Sequence, residues 1–253
     1  MWTKKTLKER FAFCKDRTIM LFTSYKAFGK VEGGPRTVME AFAELAHTCL
    51  FPNFNFQSWT EGHYWDYYET PSKMGIITEF ARKAYPRTFH PIYSFAVSGR
   101  DGKYWQKCTG AEAFGLSSPF HKFYQDEGLL VSVGLDDFTQ TFTPVHYAEQ
   151  RVGVDYRYEK DFHGIYRGMG SNPQIRTYSM YVRGDGVVNN PNPASRELID
   201  KGIIKSDNLG DWKYIYNPAS DSVVLYSEMR AYTDAIMEYA RNEPHKLHDR
   251  IER

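Results

Sequence analysis

Cysteine is scarce in this chain, with three in 253 residues. Cys14, Cys49 and Cys108 are odd in number, widely spaced and form no C-x-x-C pair, which argues against a disulfide framework and a zinc ribbon alike. Cys49, inside the apolar run Cys49-Leu50-Phe51, reads as a small core residue. Nor is one sign of charge in excess: 32 Lys and Arg face 31 Asp and Glu. Across the whole chain this excludes both a nucleic-acid footprint and a polybasic membrane patch. No apolar run approaches the roughly 20 residues of a membrane span. The basic segment Lys4-Lys5-Thr6-Leu7-Lys8-Glu9-Arg10 mixes its signs and leads into no signal-peptide core. The expectation is a cytoplasmic protein with no membrane insertion and no nucleic-acid partner. G-x-x-x-x-G-K-[ST] and G-x-G-x-x-G are both absent, so no nucleotide motif is present. G-x-S-x-G is absent too, which weakens a Ser-His-acid hydrolase.

What remains is 42% hydrophobic residues, enough for one substantial core. We expect a single domain over 1–253. Its core would span about 15–150, an elaboration about 151–226 and a closing helix about 227–242. A short amphipathic helix precedes the apolar run Thr18 to Ser24, which reads as a buried strand. The turn Gly29 to Pro35 follows, and then a helix with Val38, Ala41, Phe42 and Leu45 on one stripe. Thr48 to Phe56, Tyr93 to Ser98 and Gly128 to Gly134 read as further strands, with helices at Met74 to Tyr85 and Ser118 to Gln125. This alternation predicts an α/β fold, a three-layer α/β/α sandwich around a largely parallel or mixed sheet. After Glu149 the tyrosine-rich, alternating segments Tyr156 to Phe162 and Arg176 to Arg183 predict a small antiparallel extension in the C-terminal half.

Several segments carry candidate chemistry. In Thr143-Pro144-Val145-His146-Tyr147-Ala148-Glu149, Thr143 suits an N-cap and Pro144 the first helical position. His146 and Glu149 then share one helix face. The positive helix terminus disfavours the imidazolium, and the carboxylate fixes the tautomer, as a general base near pH 7 requires. Such i, i+3 pairs also occur on solvated helix faces. Gly33 and Gly34 before a helix free backbone N–H groups for an anion, although a Gly-Gly-Pro turn needs no ligand. Ser24 ends the first strand, where ligands gather in parallel sheets. His90, held extended before Pro91, suits either a site or a core position. Ser118-Pro119 is a helix start whose serine needs no role beyond capping. The run Trp59 to Tyr68 carries five aromatic side chains in a polar setting suited to sugar rings, or to packing the loop on its own domain.

Taken in order, these pieces resemble the aminoglycoside 3-N-acetyltransferase family. The resemblance rests on Thr23 to Gly29 with Val31 to Gly34, Thr70 to Gly75 with Glu79 to Arg82, Arg87 to Ser94, Ser118-Pro119, Gly134 to Thr139, and His146 to Glu149. It implies acetyl-CoA as co-substrate, an amino-sugar acceptor, direct transfer without an acyl-enzyme and no metal, with a homodimer left open. His146 would be the general base, Glu149 its support, and a preceding threonine the oxyanion donor; Thr139 fits by context and Thr143, which we favour, by distance. Ser24, Tyr25, Lys26, Gly33, Gly34, His90, Ser94 and Ser118 would line the coenzyme channel. Trp59, Tyr64, Trp65 and Glu79 would meet the acceptor. The chain departs from the family in three places. It has Phe22-Thr23-Ser24 where a histidine usually precedes the serine pair, about four extra residues before His146, and a Tyr- and Arg-rich segment where acidic residues meet polycationic drugs. A neutral or anionic amino sugar, such as a nucleotide-linked or surface-polysaccharide precursor, thus stands beside an aminoglycoside as the expected acceptor. A carbohydrate-binding member of the same fold that has lost turnover is the alternative.

Overall fold

The computed structural model describes residues 1–59, 62–99, 101–108, 110–135, 142–213 and 221–251. Thr139 and the Trp59 side chain fall outside them. The strands are β1 (Thr18–Thr23), β2 (Thr48–Pro52), β3 (Tyr64–Asp66), β4 (Phe95–Gly99), β5 (Leu129–Val133), β6 (Arg157–Arg167), β7 (Gln174–Arg183), β8 (Val187–Asn189), β9 (Lys205–Lys213), β10 (Asp221–Glu228) and β11 (His248–Arg250). The helices are α1 (Lys4–Arg10), α2 (Pro35–Leu45), α3 (Ile76–Ala84), α4 (Gly102–Trp105), α5 (Pro119–Gln125), α6 (Pro144–Val152), α7 (Asn192–Asp200) and α8 (Met229–Asn242).

The central sheet runs β4-β2-β1-β5-β10-β9. Strands β2, β1 and β5 are parallel; β4 runs antiparallel to β2, β10 antiparallel to β5, and the edge strand β9, antiparallel to β10, returns to the direction of the parallel three. Strand parity sorts the core into two layers. Ile19, Leu21, Cys49, Phe51, Leu129 and Val131 face Leu7, Phe42 and Ile77 of α1, α2 and α3. Met20, Phe22, Leu50 and Leu130 face Phe120, Val145 and Tyr232 of α5, α6 and α8. The result is the three-layer α/β/α sandwich, with a mixed sheet. A second sheet, β3-β6-β7, carries the long β6–β7 hairpin of the expected antiparallel extension. From the segment read as elaboration and the start of the closing segment, β9 and β10 join the central sheet beside β5.

Two turns at the carboxyl ends of the parallel strands need glycine. Gly33 and Gly34 have φ of +73° and +70° ahead of α2. Gly134, after β5, has φ +70°, and a Cβ there would lie 1.9 Å from that of Ala27. Only glycine lets the β5 turn pack this closely on the turn after β1.

Candidate active site

The first turn of α6 lies beside the ends of these strands; Phe142, just ahead of it, meets the Phe22 ring at 6.3 Å and the Tyr232 ring of α8 at 5.2 Å. Pro144 opens α6 as expected. Thr143 does not cap it: its dihedrals are helical and its hydroxyl makes no capping hydrogen bond. His146 and Glu149 share a face, and His146 Nδ1 lies 2.8 Å from Glu149 Oε2. A carboxylate accepts only, so Nδ1 carries the proton and Nε2 the lone pair.

Glu149 is 1% exposed, and its charge is met on every side. Besides His146, Tyr156 donates its hydroxyl at 2.9 Å, and Arg157 Nε stands 2.7 Å from Oε2 in a buried ion pair. Burial alone would raise this carboxyl. The His146 hydrogen bond, the Arg157 charge and the Tyr156 hydroxyl outweigh it and hold the pKa below the usual range. For His146 burial comes first and lowers the pKa; the Arg157 charge adds to it, and together they exceed the opposing pull of Glu149. The imidazole is therefore neutral at pH 7 and locked in one tautomer. The supports are themselves held. Arg157 donates to Tyr181 O and to the Asn189 side chain, and Tyr156 stacks on His248 with centroids 3.8 Å apart.

Two clefts meet at His146, and Phe56 and Tyr93 also line both. The first, about 440 Å³, lies at the carboxyl ends of β1 and β2. Phe22, Phe54, Met74 and Leu135 make much of it apolar, and Thr23, Thr78, Thr143 and Lys73 add polar groups. The Thr23 hydroxyl is buried there with no hydrogen-bond partner. The second, about 310 Å³, is lined by Arg157, Met180, Tyr181, Val182, Arg183 and Asn189.

Of the residues expected from sequence, Thr143 and His146 line the first cleft, with Glu149 buried behind His146. The first cleft reaches Thr23 and not Ser24, Tyr25, Lys26, Gly33 or Gly34, which lie in the turns beyond it. His90 does not enter it either. Its Nδ1 accepts from the N–H groups of Ile92 and Tyr93, it is 2% exposed, and burial pushes its pKa down to about 3. Ser94 bonds Arg87 and Asn53 O, and Ser118 caps α5 by accepting from His121 N at 3.2 Å. Trp65 is buried and stacked on Tyr166, and Tyr64 donates to Asp66. Glu79 is bound by Arg82 and Ser72 N, which overcome burial and hold its pKa down to about 2. Sequence reasoning missed Tyr156 and Arg157 as partners of Glu149 and the aromatic lining of the first cleft.

A neutral histidine with an orienting carboxylate stands where two clefts meet, an arrangement that leaves Nε2 able to take a proton. The model of the aminoglycoside 3-N-acetyltransferase family matches residues 20–229, and the chain belongs to that family of acetyl-CoA-dependent N-acetyltransferases. It is an acyltransferase. Solved structures agree in fold. The aminoglycoside acetyltransferase AAC(3)-IIb superposes with a TM-score of 0.77 at 16% identity, covering 96% of this chain and 98% of that one. AAC-IIIb in a binary complex with CoASH gives 0.74 at 16%, covering 94% and 95%. The YokD protein from Bacillus subtilis gives 0.73 at 19%, covering 97% and 95%. No curated protein matches in sequence. Among the described residues no helix is long and apolar enough to cross a membrane.

Proposed function

We propose that this protein transfers the acetyl group of acetyl-CoA directly to the amine of an amino sugar, with His146 as general base. The observation that carries this reading is the position of His146 in the wall shared by both clefts, with Nδ1 committed to Glu149. The 440 Å³ cleft, at the carboxyl ends of β1 and β2, is assigned to the pantetheine arm, and the 310 Å³ cleft, where Arg157, Arg183 and Asn189 supply polar groups, to the acceptor. Nε2 takes a proton from the acceptor nitrogen as that nitrogen attacks the thioester carbonyl carbon. The carbonyl oxygen becomes an oxyanion, for which the Thr143 hydroxyl, unused in capping, is the candidate donor. Collapse breaks the C–S bond, and the imidazolium returns its proton to the departing thiolate. Arg157 meets the Glu149 charge throughout, so the carboxylate does not draw the proton from Nδ1. The related AAC-IIIb with CoASH and AAC-VIa with sisomicin are named for ligands of these two kinds. The cytoplasm, where acetyl-CoA is available as co-substrate, is the address this reading proposes.

Thiol release from acetyl-CoA with a panel of amino sugars tests the reading. His146→Ala is expected to lower kcat by about 10²–10⁴-fold with the fold retained. Sugar binding without thiol release from any acceptor would instead favour the carbohydrate-binding alternative.

A further inference from the structure

Granting that the 310 Å³ cleft receives the acceptor, the charges lining it define what kind of amine enters. Arg157 and Arg183 are partners in register across the β6–β7 hairpin, so two guanidinium side chains leave the sheet side by side, and both line this cleft. Like charges placed opposite one another in a sheet repel. The Arg157 charge is met by Glu149. Among the described residues no carboxylate lies within ion-pair distance of Arg183, and none lines either cleft. Asp185, two residues beyond the end of β7, lines a different groove, with Asp155, Tyr156 and Arg250. Arg183 is exposed, with its charge on the acceptor side of the general base. A polycationic acceptor would bring ammonium groups against it. An acceptor bearing an anion would satisfy it and relieve its repulsion from Arg157.

We propose that Arg183 is the anion-binding, specificity-determining residue of this cleft, and that the acceptor is an amino sugar carrying a carboxylate or a phosphate. The guanidinium offers the planar fork that pairs with either group, while the amine remains to be presented to His146. This assigns the acceptor to the products of reactions that phosphorylate an amino sugar, couple it to a nucleotide or oxidise it to an aminouronate.

Binding and turnover separate this inference from the reading beneath it. Glucosamine, glucosamine 6-phosphate, 2-amino-2-deoxyglucuronic acid and sisomicin are titrated calorimetrically, at low and high salt, into the protein, Arg183→Gln and His146→Ala. At low salt the phosphate or the uronate should bind at least about tenfold more tightly than glucosamine, for the wild type and His146→Ala alike. Arg183→Gln should abolish that preference, and added salt should shrink it. Which anion binds more tightly identifies the source of the charge. In turnover, Arg183→Gln should raise KM for the anionic acceptor about tenfold and leave kcat within about twofold. Equal binding of neutral and anionic sugars, a preference that survives Arg183→Gln, tightest binding of sisomicin, or no binding of any probe would overturn the proposal. Acetylation of glucosamine and its phosphate with equal kcat/KM would overturn it and leave the transferase reading standing. Anion-selective binding without thiol release from any amine would do the reverse.

Discussion

Replacing Glu149 by glutamine tests the charge network behind the proposed base, because a single change acts on stability and on rate through different partners. The carboxylate is 1% exposed and is the sole ion-pair partner of Arg157 among the described residues; the Arg157 side chain is itself 4% exposed. An amide keeps the size and removes the charge. Arg157 is then a buried cation without its anion, and breaking such a pair costs about 3–5 kcal/mol. The His146 Nδ1–H and the Tyr156 hydroxyl face an amide that can accept only one of them at its oxygen without adding strain. The histidine tautomer is no longer fixed, and kcat should fall by about 10²–10⁴-fold. Urea unfolding at pH 7.5 and thiol release measure the two effects. Arg157→Met in the Glu149→Gln background removes the orphaned cation, and should recover most of the lost stability while leaving kcat low, since His146 still lacks its orienting anion. If Glu149→Gln unfolded within about 1 kcal/mol of the wild type, the buried ion pair would not carry the energy assigned to it here.

Thr143→Ala should change unfolding free energy by less than about 0.5 kcal/mol, because the hydroxyl makes no cap, whereas loss of a working N-cap costs about 0.5–2 kcal/mol; kcat should fall at least about tenfold if that hydroxyl holds the oxyanion, and Thr143→Ser should restore it. His90 is neutral when folded, with a pKa of about 3 against an ordinary value of 6.5, so the unfolded chain binds the extra proton between those pH values. Its contribution is therefore complete above about pH 6.5 and is lost as pH falls towards 3, by up to roughly 4 kcal/mol. Urea unfolding from pH 4 to 7.5 should show this slope, and His90→Asn, which keeps an acceptor for the Ile92 and Tyr93 N–H groups, should flatten it.

The elements legible from sequence were those whose own residues dictate them. β1, β2 and β5 are apolar runs buried on both faces, and α2 has an apolar stripe after a glycine turn. β9 was not legible. Its sequence KSDNLGDWK is polar and does not alternate, and it becomes a strand because β10 supplies its backbone partners at the sheet edge. The site divides in the same way. His146 and Glu149 are a local pair, one helical turn apart, and their hydrogen bond follows from α6 alone. Arg157 and Tyr156 reach Glu149 only because the start of β6 folds back over α6, and a strand rich in Tyr and Arg gives no sign of which side chain will turn inward.

His90 and His146 show why residue type was a poor guide to the remaining positions. Burial lowers the pKa of both rings, and both have Nδ1 fixed by a neighbour. At His90 that neighbour is backbone N–H, so Nδ1 is the acceptor and the proton sits on Nε2, which is buried without a hydrogen-bond partner. At His146 the neighbour is a carboxylate, so the proton sits on Nδ1 and the lone pair is left on Nε2 of a ring that lines two clefts. The first arrangement has no basic nitrogen available to a ligand. The second keeps one available at neutral pH and supplies an anion to steady the imidazolium once it forms. Access together with the sign of the partner, and not the imidazole itself, separates the proposed base from a core residue. Neither property can be read until the strands that close over the ring are in place.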